Sequence, residues 1–144
     1  QPVHHLLDPH AHVIEVEVTE LRRDGLDVER WNLLHPGEPP RRSFVEEQLG
    51  GRPGPVIAAT DWVKAYADQI RPFVSAPYRV LGTDGFGRSD RREGLRHFFE
   101  VNRFFVAVAA LKSLADIGVV PRATVSQAIE RFKLDPAKPN PMRS

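Results

Sequence analysis

The chain has 144 residues, which is one domain by length and enough to bury a core. Hydrophobic content of 41%, charged content of 27% and a net charge of +1 are ordinary for a soluble globular domain, and give no electrostatic case for nucleic acid or an anionic membrane. There is no cysteine, which excludes disulfides, thiolate catalysis and Cys-based metal sites. The longest apolar run, residues 104–111, is far too short to span a bilayer. No signal peptide is visible, and a start at Gln1 in place of Met makes a fragment or a processed product the expectation.

In chain order, residues 1–12 form a His-rich segment of their own. Val13-Ile14-Glu15-Val16-Glu17-Val18 alternates and is β-branched, so it reads as a strand. Residues 21–34 are polar, with a break at Gly25, and read as a loop with a short helix. His35-Pro36-Gly37-Glu38-Pro39-Pro40 is a cluster of breakers. One or two helical turns follow from Ser43 to Leu49, closed by Gly50-Gly51. Pro55-Val56-Ile57-Ala58-Ala59 reads as a buried strand. Thr60 or Asp61 then caps a helix with Trp62, Val63, Tyr66, Ala67 and Ile70 inward, and Pro72 stops it. Tyr78 to Leu81 is a third strand.

Asp90 with Glu93 marks a helix start, with Leu95, Phe98 and Phe99 on one face. Residues 102–117 give the clearest helix. Phe104, Phe105, Val108, Leu111 and Ala115 form one stripe, while Val106, Ala110, Leu114 and Ile117 fall on another. Such a helix is buried on two sides, which makes Phe104, Phe105, Val106 and Leu114 candidates for an interface. Gly118 ends it, and Thr124-Val125-Ser126-Gln127 reads as a capping box for a last helix with Val125, Ile129 and Phe132 inward. Residues 13–134 thus form the domain, and the proline-rich residues 135–144 an extended tail. Strands alternating with helices imply α/β with a mainly parallel sheet flanked by helices, with a strand expected to be missing before Val13.

The densest signal is Gly82-Thr83-Asp84-Gly85-Phe86-Gly87-Arg88-Ser89-Asp90, at a strand-to-helix turn. Three glycines there cost backbone entropy, so the turn needs a reason. The pattern from Gly82 to Ser89 is nearly a P-loop, which would make this a nucleotide site. Against that, Arg88 stands where the phosphate-binding Lys belongs, and Asp84 puts a carboxylate beside the phosphates. The preferred expectation is a conformational element. At least one of Gly82, Gly85 and Gly87 should have positive φ or lie against another backbone, with Asp90 or Ser89 accepting a hydrogen bond at the next helix. His4, His5, His10 and His12 carry imidazole ligands but no completing carboxylates, so no metal site is expected. His35 and His97 are isolated, with His97 read as a partly buried structural residue and both Trp31 and Trp62 as fillers of a core edge.

As whole phrases, these segments resemble the C-terminal end of the homodimeric pyruvate dehydrogenase E1 family. The phrases are Thr19-Glu20-Leu21-(x2)-Asp24-Gly25, Glu29-Arg30-Trp31-Asn32-(x2)-His35-Pro36, Ala59-Thr60-Asp61-(x3)-Ala65, the stretch from Tyr78 to Asp90, Leu95-Arg96-His97-(x)-Phe99-Glu100-Val101 and Asn140-Pro141. Residues 1–12 do not resemble the family. The wider glycine pattern is similar to that in the third domain of transketolases. The resemblance implies a cytoplasmic, homodimeric parent enzyme that uses thiamine diphosphate and magnesium to decarboxylate pyruvate. It passes the acetyl group to lipoyl groups of the E2 dihydrolipoyl acetyltransferase. An E1 for a related 2-oxo acid fits the same phrases. The family's diphosphate motif, Gly-Asp-Gly followed by Asn-Asn, is missing here: Thr83-Asp84-Gly85 lacks the first glycine. The resemblance therefore implies no catalytic or cofactor-binding residue in this chain and a role in dimer assembly and structural support.

Overall fold

The computed structural model describes residues 17–85, 87 and 89–143. The chain runs α1 (Val18–Leu34), α2 (Phe44–Leu49), β1 (Val56–Ala59), α3 (Lys64–Asp68), β2 (Tyr78–Leu81), α4 (Arg92–Phe98), α5 (Arg103–Asp116) and α6 (Arg122–Arg131), with 3-10 turns at Arg71–Phe73 and Pro141–Arg143. β1 and β2 pair in parallel, Val56 opposite Tyr78 and Ala59 opposite Leu81. This is the mixed α/β fold with a small parallel sheet that the sequence implies. The His-rich segment and Val13 to Val16 lie outside the described residues, and Val18 opens a helix, not a strand.

The loop expected over 21–34 is instead part of one continuous 17-residue helix. Gly25 does not break it. Gly25 is buried, and a Cβ there would run into the ring of Phe73. The glycine thus serves tertiary packing, which outweighs its cost of about 1 kcal/mol in a helix. Phe73 joins Leu21 and Val45 in one core cluster, with Leu49, Ile70 and Val74 packed around it. Ser43 caps α2: its hydroxyl accepts from the Glu46 N–H and donates to the Glu46 carboxylate. The neighbouring Phe44 N–H is taken by the Asp24 carboxylate of α1 at 2.7 Å, so α1 helps to cap α2.

β1 is only half-buried, and α3 is shorter than its apolar spacing suggests. Trp62 and Val63 precede α3 and are exposed, and Thr60 closes a local turn by accepting from the Trp62 N–H. The crossover is tied to β2 at Tyr78. Its hydroxyl donates to the Ala67 carbonyl at 2.7 Å, while Arg71 bridges Asp68 and the Tyr78 carbonyl. Burial, with the Asp68 carboxylate adding, pushes the phenol up to about 12.

Three successive helices end in the same way. After α4, α5 and α6 the chain turns through Glu100 (φ 62), Gly118 (φ 78) and Lys133 (φ 54). In each case the next N–H reaches back to an earlier carbonyl: Val101 to Arg96, Val119 to Leu114 and Leu134 to Ile129. These are Schellman ends, and only Gly118 carries the residue that such ends prefer. α6 starts at Arg122, ahead of the expected Thr124 box, with Pro121 at its cap. The tail is not extended throughout. It turns at residues 135–138 and ends in the 3-10 turn. Lys138 donates to the Phe98 carbonyl at 2.7 Å and pairs with Glu100 at 3.3 Å.

Three outcomes are expected. Gly25→Ala lowers unfolding stability by about 1–2 kcal/mol, because overpacking against Phe73 exceeds the gain in helix propensity; chemical denaturation measures it. Lys133→Gly raises stability by about 0.5–1 kcal/mol in the same assay, relieving a left-handed conformation. The Tyr78 phenol, raised from an ordinary value of 10 to about 12, favours the native state fully below pH 10 and loses that contribution as pH climbs to 12. A thermal-melting series across that window should therefore fall less steeply for Tyr78→Phe.

Candidate functional site

Because β1 and β2 are parallel, the loops that follow them leave from the same edge of the sheet, the edge where ligands bind in open α/β folds. The two loops are locked together. Thr60 N–H extends the ladder to the Leu81 carbonyl at 2.9 Å. Thr83 N–H donates to the Trp62 carbonyl at 2.8 Å, and its hydroxyl donates to the Asp61 carbonyl at 2.9 Å. Asp84 accepts from the Lys64 N–H at 3.3 Å, capping α3 from across the edge. Gly82 is buried at the crossing: a Cβ there would lie 2.8 Å from both the Trp62 carbonyl oxygen and the Lys64 nitrogen.

Farther along, Gly85 has φ of +133°, and a Cβ would strike the Pro141 carbonyl of the tail. Gly87 has open space and no positive φ. So two of the three glycines are dictated by geometry and the third is not. Phe86 and Arg88 lie outside the described residues. Ser89 and Asp90 are exposed. Asp90 accepts from the Arg91 N–H at 2.7 Å, but Arg91 itself is the cap residue of α4, so Asp90 sits one position ahead of the expected N-cap. Its carboxylate fills the space where Gly94 would carry a Cβ. Asp61 reaches over to α4, with Arg96 at 3.1 Å and Arg92 at 4.0 Å.

Chemically, the edge is used up. The Thr83 N–H is bonded, Asp84 is committed to Lys64, and Asp61 to two arginines. Several residues separate the glycine turn from α4, so its N–H groups do not run on into a helix start as a phosphate cradle requires. The degenerate P-loop is not supported. No group of three or more His, Asp or Glu residues placed to hold a metal occurs among the described residues. Nor do the donors present fit thiamine diphosphate, since the only Asp in a comparable phrase, Asp84, caps α3.

His97 is exposed, with its Nδ1 3.2 Å from the Asn102 amide and its ring near Phe105. Trp31 is not a core filler: it lies between the stacked ring of His35 and the Arg41 guanidinium, while Asn32 holds both backbone groups of Arg41. Trp62 is 68% exposed. Of the interface candidates, Phe104 faces Phe132 of α6, Phe105 faces His97, and Val106 and Leu114 are half-buried. Sequence reasoning missed Asp24, Gly94 and Arg96. Gly94 left a signal as a glycine inside a helical pattern, while Asp24 and Arg96 stand in the phrases that carry the family resemblance without a sign of what they bind.

The geometry defines the carboxyl edge of a small parallel sheet, whose two loops and α4 are held together by Asp61, Thr83 and Asp84. Residues 11–102 match the transketolase-like TK C-terminal domain family, and the chain belongs to that family. It is 64% identical over 124 residues to the pyruvate dehydrogenase E1 component of Cupriavidus necator, covering 86% of this chain and 14% of that protein. It is 61% identical to the E1 component of Pseudomonas aeruginosa and 52% to that of Escherichia coli K12, each covering 85% of this chain and 14% of the relative. The chain thus spans about one seventh of the curated relatives that it matches.

The glycine turn gives a graded test. Gly85→Ala and Gly82→Ala should each cost about 2–3 kcal/mol, through positive φ or collision with backbone. Gly87→Ala should change stability by less than about 0.5 kcal/mol. Urea unfolding of the three variants measures the ranking, and equal effects at all three would contradict it.

Proposed function

We propose that this chain is the C-terminal domain of a thiamine-diphosphate-dependent pyruvate dehydrogenase E1, in which it supports dimer assembly and braces the catalytic domains. Identity of 64% to an E1 relative across 86% of the chain carries the reading. The parent decarboxylates pyruvate and acetylates lipoyl groups of an E2 dihydrolipoyl acetyltransferase, in the cytoplasm. Thiamine diphosphate with magnesium supplies the carbanion chemistry there, held by parts of the parent outside this chain. The edge where Asp61, Thr83 and Asp84 bond one another is consistent with a bracing role. An E1 for a related 2-oxo acid would use this domain in the same way.

The half-buried Val106 and Leu114, in the stripe with Ala110 and Ile117, are the proposed association surface. Phe104 and Phe105, engaged with Phe132 and His97, support that helix from behind. The exposed Ile117 and Val119 extend the apolar area. No helix among the described residues is long and apolar enough to cross a membrane.

Three measurements test this. The full-length parent should decarboxylate pyruvate faster than 2-oxobutyrate in a ferricyanide assay; preference for another 2-oxo acid would replace the substrate assignment. Calorimetry of the 144-residue chain with thiamine diphosphate and magnesium should show no binding, and micromolar affinity would overturn the bracing role. In sedimentation the chain should associate, and Leu114→Glu should shift it toward monomer.

A further inference from the structure

An open groove of about 430 Å³ lies between β2, α5 and α6. Its floor is apolar: Leu81, Phe105, Val108, Ala109 and Ile129. Its rim carries Arg79, Lys112 and Arg122. Lys112 pairs with Asp116 one turn on. The Asp116 carboxyl is held below its ordinary range by that Lys112 hydrogen bond, with the charges of Arg122 and Arg79 adding. Arg79 and Arg122 are exposed, and neither side chain makes a hydrogen bond or ion pair with a described residue. Glu100 also lines the groove but is bound to Lys138.

α5 and α6 follow the family segment, which ends at residue 102. The matches to E1 relatives are 124 residues long, so they run on into these helices.

The rim charges sit outside and the trough is open along its length. A drug-sized molecule would not be enclosed there as such ligands require. Two helices and a strand edge make a shape suited to another helix. Charge complementarity selects an acidic occupant.

We propose that the groove between β2, α5 and α6 docks an acidic amphipathic helix of another polypeptide, its apolar face on Phe105, Val108 and Ile129 and its carboxylates at Arg79 and Arg122. The proposal goes beyond the E1 reading and does not depend on it.

The test uses the 15N-labelled 144-residue chain and a synthetic helical peptide with leucine on one face and glutamate on its flanks. The expected result is saturable shifts at amides of Leu81, Val108 and Ile129, weakening as salt is raised. Arg79→Glu with Arg122→Glu should weaken binding at least tenfold, and the Gln pair should weaken it less. Both sites are exposed, and unchanged thermal melting confirms that the variants fold. Equal binding of a lysine-for-glutamate peptide would overturn the proposal, as would the absence of saturable shifts or shifts away from the groove. Octanoate moving the same amides while the peptide does not would reassign the groove to a small amphiphile. Concentration-dependent shifts there without peptide would reassign it to a second copy.

Discussion

The arrangement depends on one close approach of backbone to backbone. Gly82 leaves β2 beneath the Trp62 carbonyl and the Lys64 nitrogen, with no room for a side chain. Only that closeness lets Thr83 and Asp84 reach the first loop, and those bonds hold α3 and the glycine turn in one piece. A sheet of two strands has little burial of its own to set the geometry of its edge. The edge is set by these polar contacts instead. Thr83 and Asp84, which stand inside the motif resembling a phosphate loop, are bonded to the first loop and to α3.

Much of this was legible in the sequence where local rules act alone. β2 lies where its apolar run stands, α2 forms within the turns expected over Ser43 to Leu49, and α5 is capped by Asn102 and followed by the turn at Gly118. Reading failed where a distant residue decides. Gly25 looks like a break because the ring of Phe73, far along the chain, is invisible in sequence. Thr60 and Asp61 look like caps, yet one closes a local turn and the other pairs with α4. In the glycine turn the motif was legible but its reasons were not: Gly82 answers to Lys64, Gly85 to Pro141, and Gly87 to nothing in the structure.

The phrases that carry the family resemblance map onto particular contacts. Asp24 and Gly25 join α1 to α2 and to Phe73. Trp31, Asn32 and His35 bind the return loop at Arg41. Asp61 with Arg96 joins β1 to α4. Each joins elements that lie apart in the chain.

The contact between Gly85 and Pro141 turns residues 85–141 into a ring. It closes around α4, α5 and α6 without a covalent bond, with Lys138 as a second clasp on the end of α4. Closing a flexible loop of this length costs roughly 3–4 kcal/mol in entropy. The helical hairpin removes most of that cost by bringing the tail back to the loop already ordered. The glycine turn is therefore held partly from behind, by the tail that the helices return to it. Loosening of the hairpin would restore the entropy of the ring and release the turn, so the two ends of the domain share one mechanical fate.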